Sequence, residues 1–338
     1  MLEERVNGHT RGGSRLVAAA AVAIGLGTFA LSETVLPGEV PAVTVALVAG
    51  LALGSLVALD PAAASSIVKR GLPVAIVLIG LRVSLGQIRE LGFETLALVV
   101  AGLVVGLGVA LGVARLASVP RRLGTLLALG TAVCGNTAIV SVAPIIRARR
   151  EEIAYAVATI TVFGTAAVLV FPPLGHTLGL DDTQFGIWAG IGVNDTSQVV
   201  ATGFAYSDTA GETATIVKLV RNAFLGVILV GVALLSPDAE APQRTGTRIR
   251  LGLGIPWFVW GFLAAAILGS LGVLPGRLVS ASESMARALV LVVMAAVGLS
   301  TRPKAMTTAG IRPFVVGLAA MASLSAVALI AVLAGVGS

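Results

Sequence analysis

Gly130-Thr-Ala-Val-Cys-Gly-Asn-Thr-Ala-Ile139 and Gly190-Ile-Gly-Val-Asn-Asp-Thr-Ser-Gln-Val199 decide how this chain folds. Each puts glycines and polar side chains in the middle of an apolar run long enough to cross a bilayer. Lipid offers an opened backbone no hydrogen bonds, so non-helical chain at that depth persists only inside protein or beside water. Paired interruptions of this kind point to the binding site of a transporter.

The composition agrees with a membrane reading. Of the 338 residues 57% are hydrophobic and 12% charged, against about 25% charged in an ordinary globular domain. Apolar runs of about 20 residues, enough to cross the hydrocarbon core, recur at 16–35, 41–59, 67–83, 95–117, 123–146, 153–175, 184–206, 213–235, 255–274, 285–300 and 312–335. The expected fold is an all-α polytopic membrane protein of about 9–11 segments, residues 1–338 forming a single integral membrane domain. The first run follows basic residues as in a signal peptide but lacks a small-x-small cleavage site, and reads as a retained helix. The net charge of +6 comes from arginines in short loops, so it marks topology rather than nucleic-acid binding. The single cysteine, Cys134, excludes a disulfide framework and a multi-cysteine metal site. His9 and His176 lie outside the spans.

Charge counting bears on the two interrupted segments. If all eleven segments crossed fully, Arg147, Arg149 and Arg150 would fall outside and Asp181-Asp182 inside, against the positive-inside rule. If 123–146 and 184–206 instead dip in and return, most of the lysines and arginines gather on the cytoplasmic side, leaving Arg82, Arg89, Arg277 and Arg287 outside. About 11 residues on each side of a break span ~16 Å, half a bilayer. Re-entrant hairpins are the favoured reading and full-span broken helices the alternative.

An internal repeat accompanies this pattern. Pro41 followed by Leu53-Gly54-Ser55-Leu56 matches Pro256 followed by Leu268-Gly269-Ser270-Leu271; Gly80-Leu81 and Gly92 then match Gly298-Leu299 and Gly310. The segments 41–117 and 255–335 read as related three-helix scaffold units of opposite orientation, as in an inverted-repeat transporter. The central unit, 123–235, carries the site.

In the first interruption Cys134-Gly135 breaks the helix, and Asn136 or Thr137 is placed to cap a second arm. In the second, Asn194 and Asp195 are placed to cap an arm beginning near Thr196-Ser197. Two helix N-termini converging from opposite faces would make an anion site from backbone N–H groups. Thr131, Gly135, Asn136, Thr137, Asn194, Thr196, Ser197 and Gln198 would line it. The plainer reading is that these residues satisfy only their own backbone. Lys218 and Arg221 share a helix face, and a cation inside a span is costly enough to face a cavity or a partner. Either they attract an anionic substrate, or Lys218 snorkels to the surface and Arg221 pairs with Asp195. Asp195 is the only acid expected at membrane depth, which also fits it for a proton or a cation. Arg82 reads as an anchor at the outer interface, and Trp257, Phe258 and Trp260 as an interfacial belt.

These motifs resemble the YeiH-type family of bacterial inner-membrane proteins, to which a sulfate-export label is attached. The resemblance runs from about Pro41 onward. It rests on Gly80-Leu81-Arg82 with Ser84, Gly130-Thr131, Cys134-Gly135, Ala138-Ile139, Ala143-Pro144, Glu151-Glu152-Ile153 and Phe171-Pro172-Pro173. It continues through Asp195-Thr196-Ser197 with Val199-Val200, Val217-Lys218-Leu219 with Arg221, and Ile255-Pro256-Trp257-Phe258. Where the family pattern commonly has His before Asp-Thr-Ser, this chain has Asn194. The resemblance implies membership of the broad cation:proton antiporter and anion transporter superfamily, with discontinuous helices and ion-gradient coupling.

The leading expectation is a secondary transporter, in the exporting direction, for a small anion such as sulfate, sulfite, a sulfonate or a carboxylate. Cation or proton antiport at Asp195 and a non-transporting sensor or assembly subunit are the alternatives. No enzyme activity, cofactor or metal is expected, only H+ or Na+ as coupling ion. The expected setting is a bacterial or archaeal cytoplasmic (inner) membrane with the N-terminus cytoplasmic. Partners are the lipid bilayer and a small anionic solute, with room for a homodimer and no nucleic acid.

Overall fold

The computed structural model describes residues 2–34, 42–57, 61–235, 256–272, 274–301 and 311–337. Pro41, Ile255 and Gly310, named above for repeat or motif, lie outside these residues, as do Arg244, Arg248, Arg250, Arg302 and Lys304, which the charge count puts on the cytoplasmic side. Among the described residues every regular element is helical. Six helices are long and apolar enough to cross a membrane, and three shorter apolar helices join them. The protein is an all-α polytopic membrane protein.

The chain divides into two compact units, and the division differs from the scaffold and centre expected above. The first unit holds α1 (Leu2–Thr34), α2 (Ala42–Leu56), α3 (Pro61–Gly80), α13 (Trp257–Ser270) and α14 (Gly276–Ser300). The second holds α5 (Gly92–Leu116), α6 (Arg121–Leu129), α7 (Asn136–Val142), α8 (Arg150–Thr177) and α9 (Asp182–Gly192). It also holds most of α10 (Thr196–Phe204), α11 (Asp208–Ala223), α12 (Leu225–Leu235) and α15 (Ile311–Leu333), while the short α4 (Leu85–Glu90) joins the two units in sequence. Thus α5 and α15 belong with the site rather than with the other repeat helices. The reason is local packing: Gly102 and Gly106 present bare backbone to Leu324, and Gly192 does the same to Ser325.

Glycines bring the first unit's helices into backbone contact. A Cβ on Gly54 would strike the carbonyl of Leu299, and one on Gly269 the carbonyl of Leu81. A Cβ on Gly80 would strike the carbonyl of Phe262, and one on Gly298 the carbonyl of Leu47. Arg82, just beyond α3, is half-buried and ion-paired with Glu283 of α14 at 3.2 Å, where Arg287 also binds at 2.8 Å. That pairing ties the end of α3 to α14.

Both interrupted segments turn back on themselves. A Cβ at Gly130 would lie 2.2 Å from Ile160 and 2.9 Å from Ile139; the reversal shows in the second contact, between Gly130 and Ile139. On one continuous helix these two positions would sit about 13 Å apart along the axis. A Cβ at Gly186 and one at Gly203 would each lie 2.9 Å from the same carbonyl, that of Ala210. Seventeen residues of unbroken helix would separate them by about 25 Å. The chain therefore enters through α6, reverses at Gly135 and leaves through α7; it enters again through α9, reverses at 193–195 and leaves through α10. Helix α8 joins the mouth of the first hairpin to the mouth of the second, and its 28 residues span about 42 Å. The mouths therefore lie at opposite ends of this unit. Helix α11 then runs parallel to α9, with Gly186 against Thr213 and Gly190 against Val217.

Candidate functional site

The reversals begin with two different backbone devices. At the end of α6 the residues Gly130–Cys134 widen into a π-helical turn, closed by a bond from Gly135 N–H to the Gly130 carbonyl at 2.9 Å. Gly135 has φ of 63°, a conformation open to glycine but costly to other residues. At the end of α9, Val193 turns extended. Each device frees backbone carbonyls at the end of an incoming arm, deep in the unit.

Two cations from α11 meet those carbonyls. Lys218 Nζ donates to the carbonyls of Val133, at 3.0 Å, Val193, at 3.2 Å, and Asn194. Arg221 donates through Nε to Ala132, at 2.6 Å, and through Nη2 to Thr131. Its Nη1 donates to Ile191, at 2.7 Å, to Val193, at 3.1 Å, and more weakly to Gly190. Lys218 is 0% and Arg221 1% exposed. Cations at helix C-termini complement the negative end of the dipole, and here two residues serve both incoming arms. Lys218 does not snorkel, and the donors of Arg221 go to carbonyls rather than to the expected partner Asp195.

One carboxylate serves the outgoing arms. Asp195 Oδ1 accepts from Ser197 N–H at 3.0 Å and from Ser197 Oγ at 2.7 Å, capping α10. Its Oδ2 accepts from the backbone N–H of Asn136 at 3.3 Å, at the start of α7. The expected cap by Asn136 or Thr137 is therefore corrected: Gly135 precedes α7 without a side-chain cap, and Asp195 supplies it from the other hairpin. Thr137 is exposed, while Asn136 and Asp195 are half-buried.

The remaining expected residues divide. Thr131, Asn194, Thr196 and Ser197 are buried at the breaks. Both amide atoms of Asn194 and the hydroxyl of Thr131 lack a hydrogen-bond partner, as do Asn136 Oδ1 and Asn222 Oδ1. Asn222 Nδ2 donates to Thr196 Oγ1 at 3.3 Å. Gln198 points elsewhere: its Nε2 donates to the Thr161 carbonyl at 2.9 Å and reaches Thr165, and its Oε1 lies over Gly164. It fastens α10 to α8 instead of offering a donor to a ligand.

The sequence reading missed Glu212, which is 6% exposed and more buried than Asp195. Glu212 sits just ahead of the apolar run that begins at 213. Its one signal was a place six residues before Lys218, about 9 Å along the helix.

A polytopic helical membrane protein with two opposed re-entrant hairpins, stitched tip to tip by buried charge, is the class this fold and site define. The chain belongs to the family described as conserved hypothetical protein 698, whose model matches residues 15–317; this is the YeiH-type family that the motifs resemble. It is 35% identical over 271 residues to a UPF0324 membrane protein of Agrobacterium fabrum, covering 78% of this chain and 76% of the relative. It is 34% identical over 291 residues to one of Brucella melitensis, covering 85% and 80%. A third, from Clostridium tetani, is 30% identical over 262 residues, covering 74% and 75%. No solved structure matches the chain.

Proposed function

We propose that this protein is a secondary transporter of a small anion, such as sulfate, sulfite, a sulfonate or a carboxylate, working by alternating access in a bacterial or archaeal cytoplasmic membrane. The observation that carries the reading is charge at the hairpin tips. Lys218 and Arg221 bring two positive charges to the tips and Asp195 brings one negative charge. The two helix N-termini and two C-termini meeting there offset one another. Surplus positive charge in a span is costly, and a bound anion offsets it.

The glycine contacts of the first unit support an inverted repeat. Leu47 stands six residues after Pro41, as Phe262 does after Pro256. The Gly54–Leu299 and Gly269–Leu81 contacts thus exchange under the sequence repeat, and so do Gly80–Phe262 and Gly298–Leu47. Such repeats are common in secondary transporters. The reading makes the protein a carrier and not an enzyme, free of cofactor, coupled to H+ or Na+, with its N-terminus cytoplasmic.

Uptake of labelled sulfate, sulfite, sulfonates and carboxylates into proteoliposomes tests it. Saturable uptake of at least one is expected, and uptake of none overturns it. A second reading, cation or proton antiport at Asp195, is favoured by unpartnered side-chain oxygens on Asn136, whose backbone N–H Asp195 holds, and on Asn222, which donates to the neighbouring Thr196. It predicts pH-dependent sodium flux that ignores anions and vanishes in Asp195→Asn.

A further inference from the structure

Resting on the anion-transport reading, we propose that the Asp195 carboxylate is a tethered stand-in for the transported anion, and that protonation releases it so that anion and proton cross together. The carboxylate already occupies an anion's place. It takes one amide N–H from the tip of the first hairpin and an N–H and an O–H from the start of α10. A free anion of similar size needs the same three donors, so the two compete.

The surroundings make release by a proton workable. Asp195 is half-buried and therefore reachable, whereas the donors of Lys218 and Arg221 are committed to seven backbone carbonyls. Those two side chains hold the tips together whether or not Asp195 is bound. Once neutral, the acid keeps a single carbonyl oxygen as a good acceptor for three donors that its two charged oxygens now serve. Charge-assisted bonds become neutral ones, roughly half as strong. Binding H+ turns –COO− into –COOH and raises the local surplus of positive charge by one, which the arriving anion offsets.

A second observation also points to a ligand. Asn194, in the break itself, is 0% exposed and has no partner at either amide atom. The Thr131 hydroxyl at the facing tip is equally buried and unpartnered. Buried polar atoms are seldom left unpaired, because each forfeits the hydrogen bonds it made to water. Asn194 adjoins Asp195 in the chain and Thr131 stands in the turn that ends at Gly135, so an N–H and an O–H donor are left over for an anion that displaces Asp195. Among the described residues, the titratable groups acting on one another at the tips are Cys134 of the π-helical turn, Lys218 and Arg221 of α11, and Asp195.

The test uses the full chain in liposomes holding a trapped pH indicator, with labelled sulfate, sulfite or methanesulfonate outside and protein-free liposomes subtracted. Uptake of the transported anion is expected to acidify the lumen and to quicken when the outside is made acidic. Asp195→Asn is expected to lose the acidification and the pH dependence. Anion uptake that moves no protons overturns the coupling while leaving the transport reading in place; uptake of no anion removes both. Thiol labelling of the native protein tests the release without a substitution. Cys134 adjoins Gly135, where a Cβ would meet Asp195 at 2.7 Å. Its labelling by a methanethiosulfonate is expected to rise as pH falls, against the usual trend set by thiolate formation. No rise overturns the release step.

Discussion

At the residue scale, Arg221 and Lys218 are framework by their contacts and act on an anion only through their charge. Arg221 alone bridges the carbonyls of Thr131 and Ala132 in one hairpin to those of Ile191 and Val193 in the other. Its removal leaves those acceptors without water and the incoming arms without a counter-charge. Arg221→Met is therefore expected to destabilise the fold by about 3–5 kcal/mol, as breaking a buried charged network does, and to lower the melting temperature in detergent. Arg221→Lys should recover only part of the loss, because an ammonium cannot present a planar fork to several carbonyls. Gly164 makes a separate case. A methyl there collides with Gln198 Oε1, so Gly164→Ala is expected to cost about 1–3 kcal/mol, read from the same melting curves. The sequence supplied the residue types at the breaks, since glycine, asparagine and aspartate in an oily run stand out. It could not supply their partners. A carbonyl has no residue type, so nothing at Ala132 or Ile191 announces that an arginine will bind it. Asp195 likewise reads as a cap for its own helix, and the amide it also takes lies 59 positions away.

At the element scale, the hairpins follow from where the helices stop. Arms of nine and eleven residues, α6 and α9, reach about 14–17 Å, about half the hydrocarbon thickness, and each ends in freed carbonyls. Charge counting made the reversal legible, because it asked on which side each arginine cluster emerges. The π-helical turn stayed hidden, since nothing in Gly-Thr-Ala-Val-Cys tells a widened turn from an α-helical one. The split of 213–235 into α11 and α12 around Phe224 was hidden for the same reason. The reversals predict a labelling pattern. In a Cys134→Ser background, Ser118→Cys and Arg149→Cys should react with an impermeant thiol reagent from one side of the membrane, and Asp181→Cys and Thr209→Cys from the other. Full-span broken helices would place Ser118 and Arg149 on opposite sides, and likewise Asp181 and Thr209.

At the scale of the whole molecule, the inverted-repeat reading turns on helix direction within each unit. In the first unit Arg82 lies against Glu283 while Gly71, eleven residues earlier, lies against Val293. As α3 advances α14 retreats, so these repeat mates run antiparallel, and an axis exchanging them lies across the helices, in the plane of a membrane they span. In the second unit Gly106 stands fourteen residues after Gly92, as Leu324 does after Gly310. A Cβ on Gly106 would meet Leu324 at 2.8 Å, the contact expected where mates meet on such an axis. If the repeat is physical and not a coincidence of common residues, equivalent positions bear equivalent loads. Gly54→Ala and Gly269→Ala each push a methyl into the carbonyl of a partner helix, Leu299 in one case and Leu81 in the other. The two substitutions are expected to lower stability by similar amounts, about 1–3 kcal/mol each. They should add in the double variant, because the two contacts share no residue. Melting curves of the two single variants and the double variant decide it. A large cost at one glycine and none at its mate would mean that the two halves do not share a packing, and the inverted-repeat reading would lose its structural support.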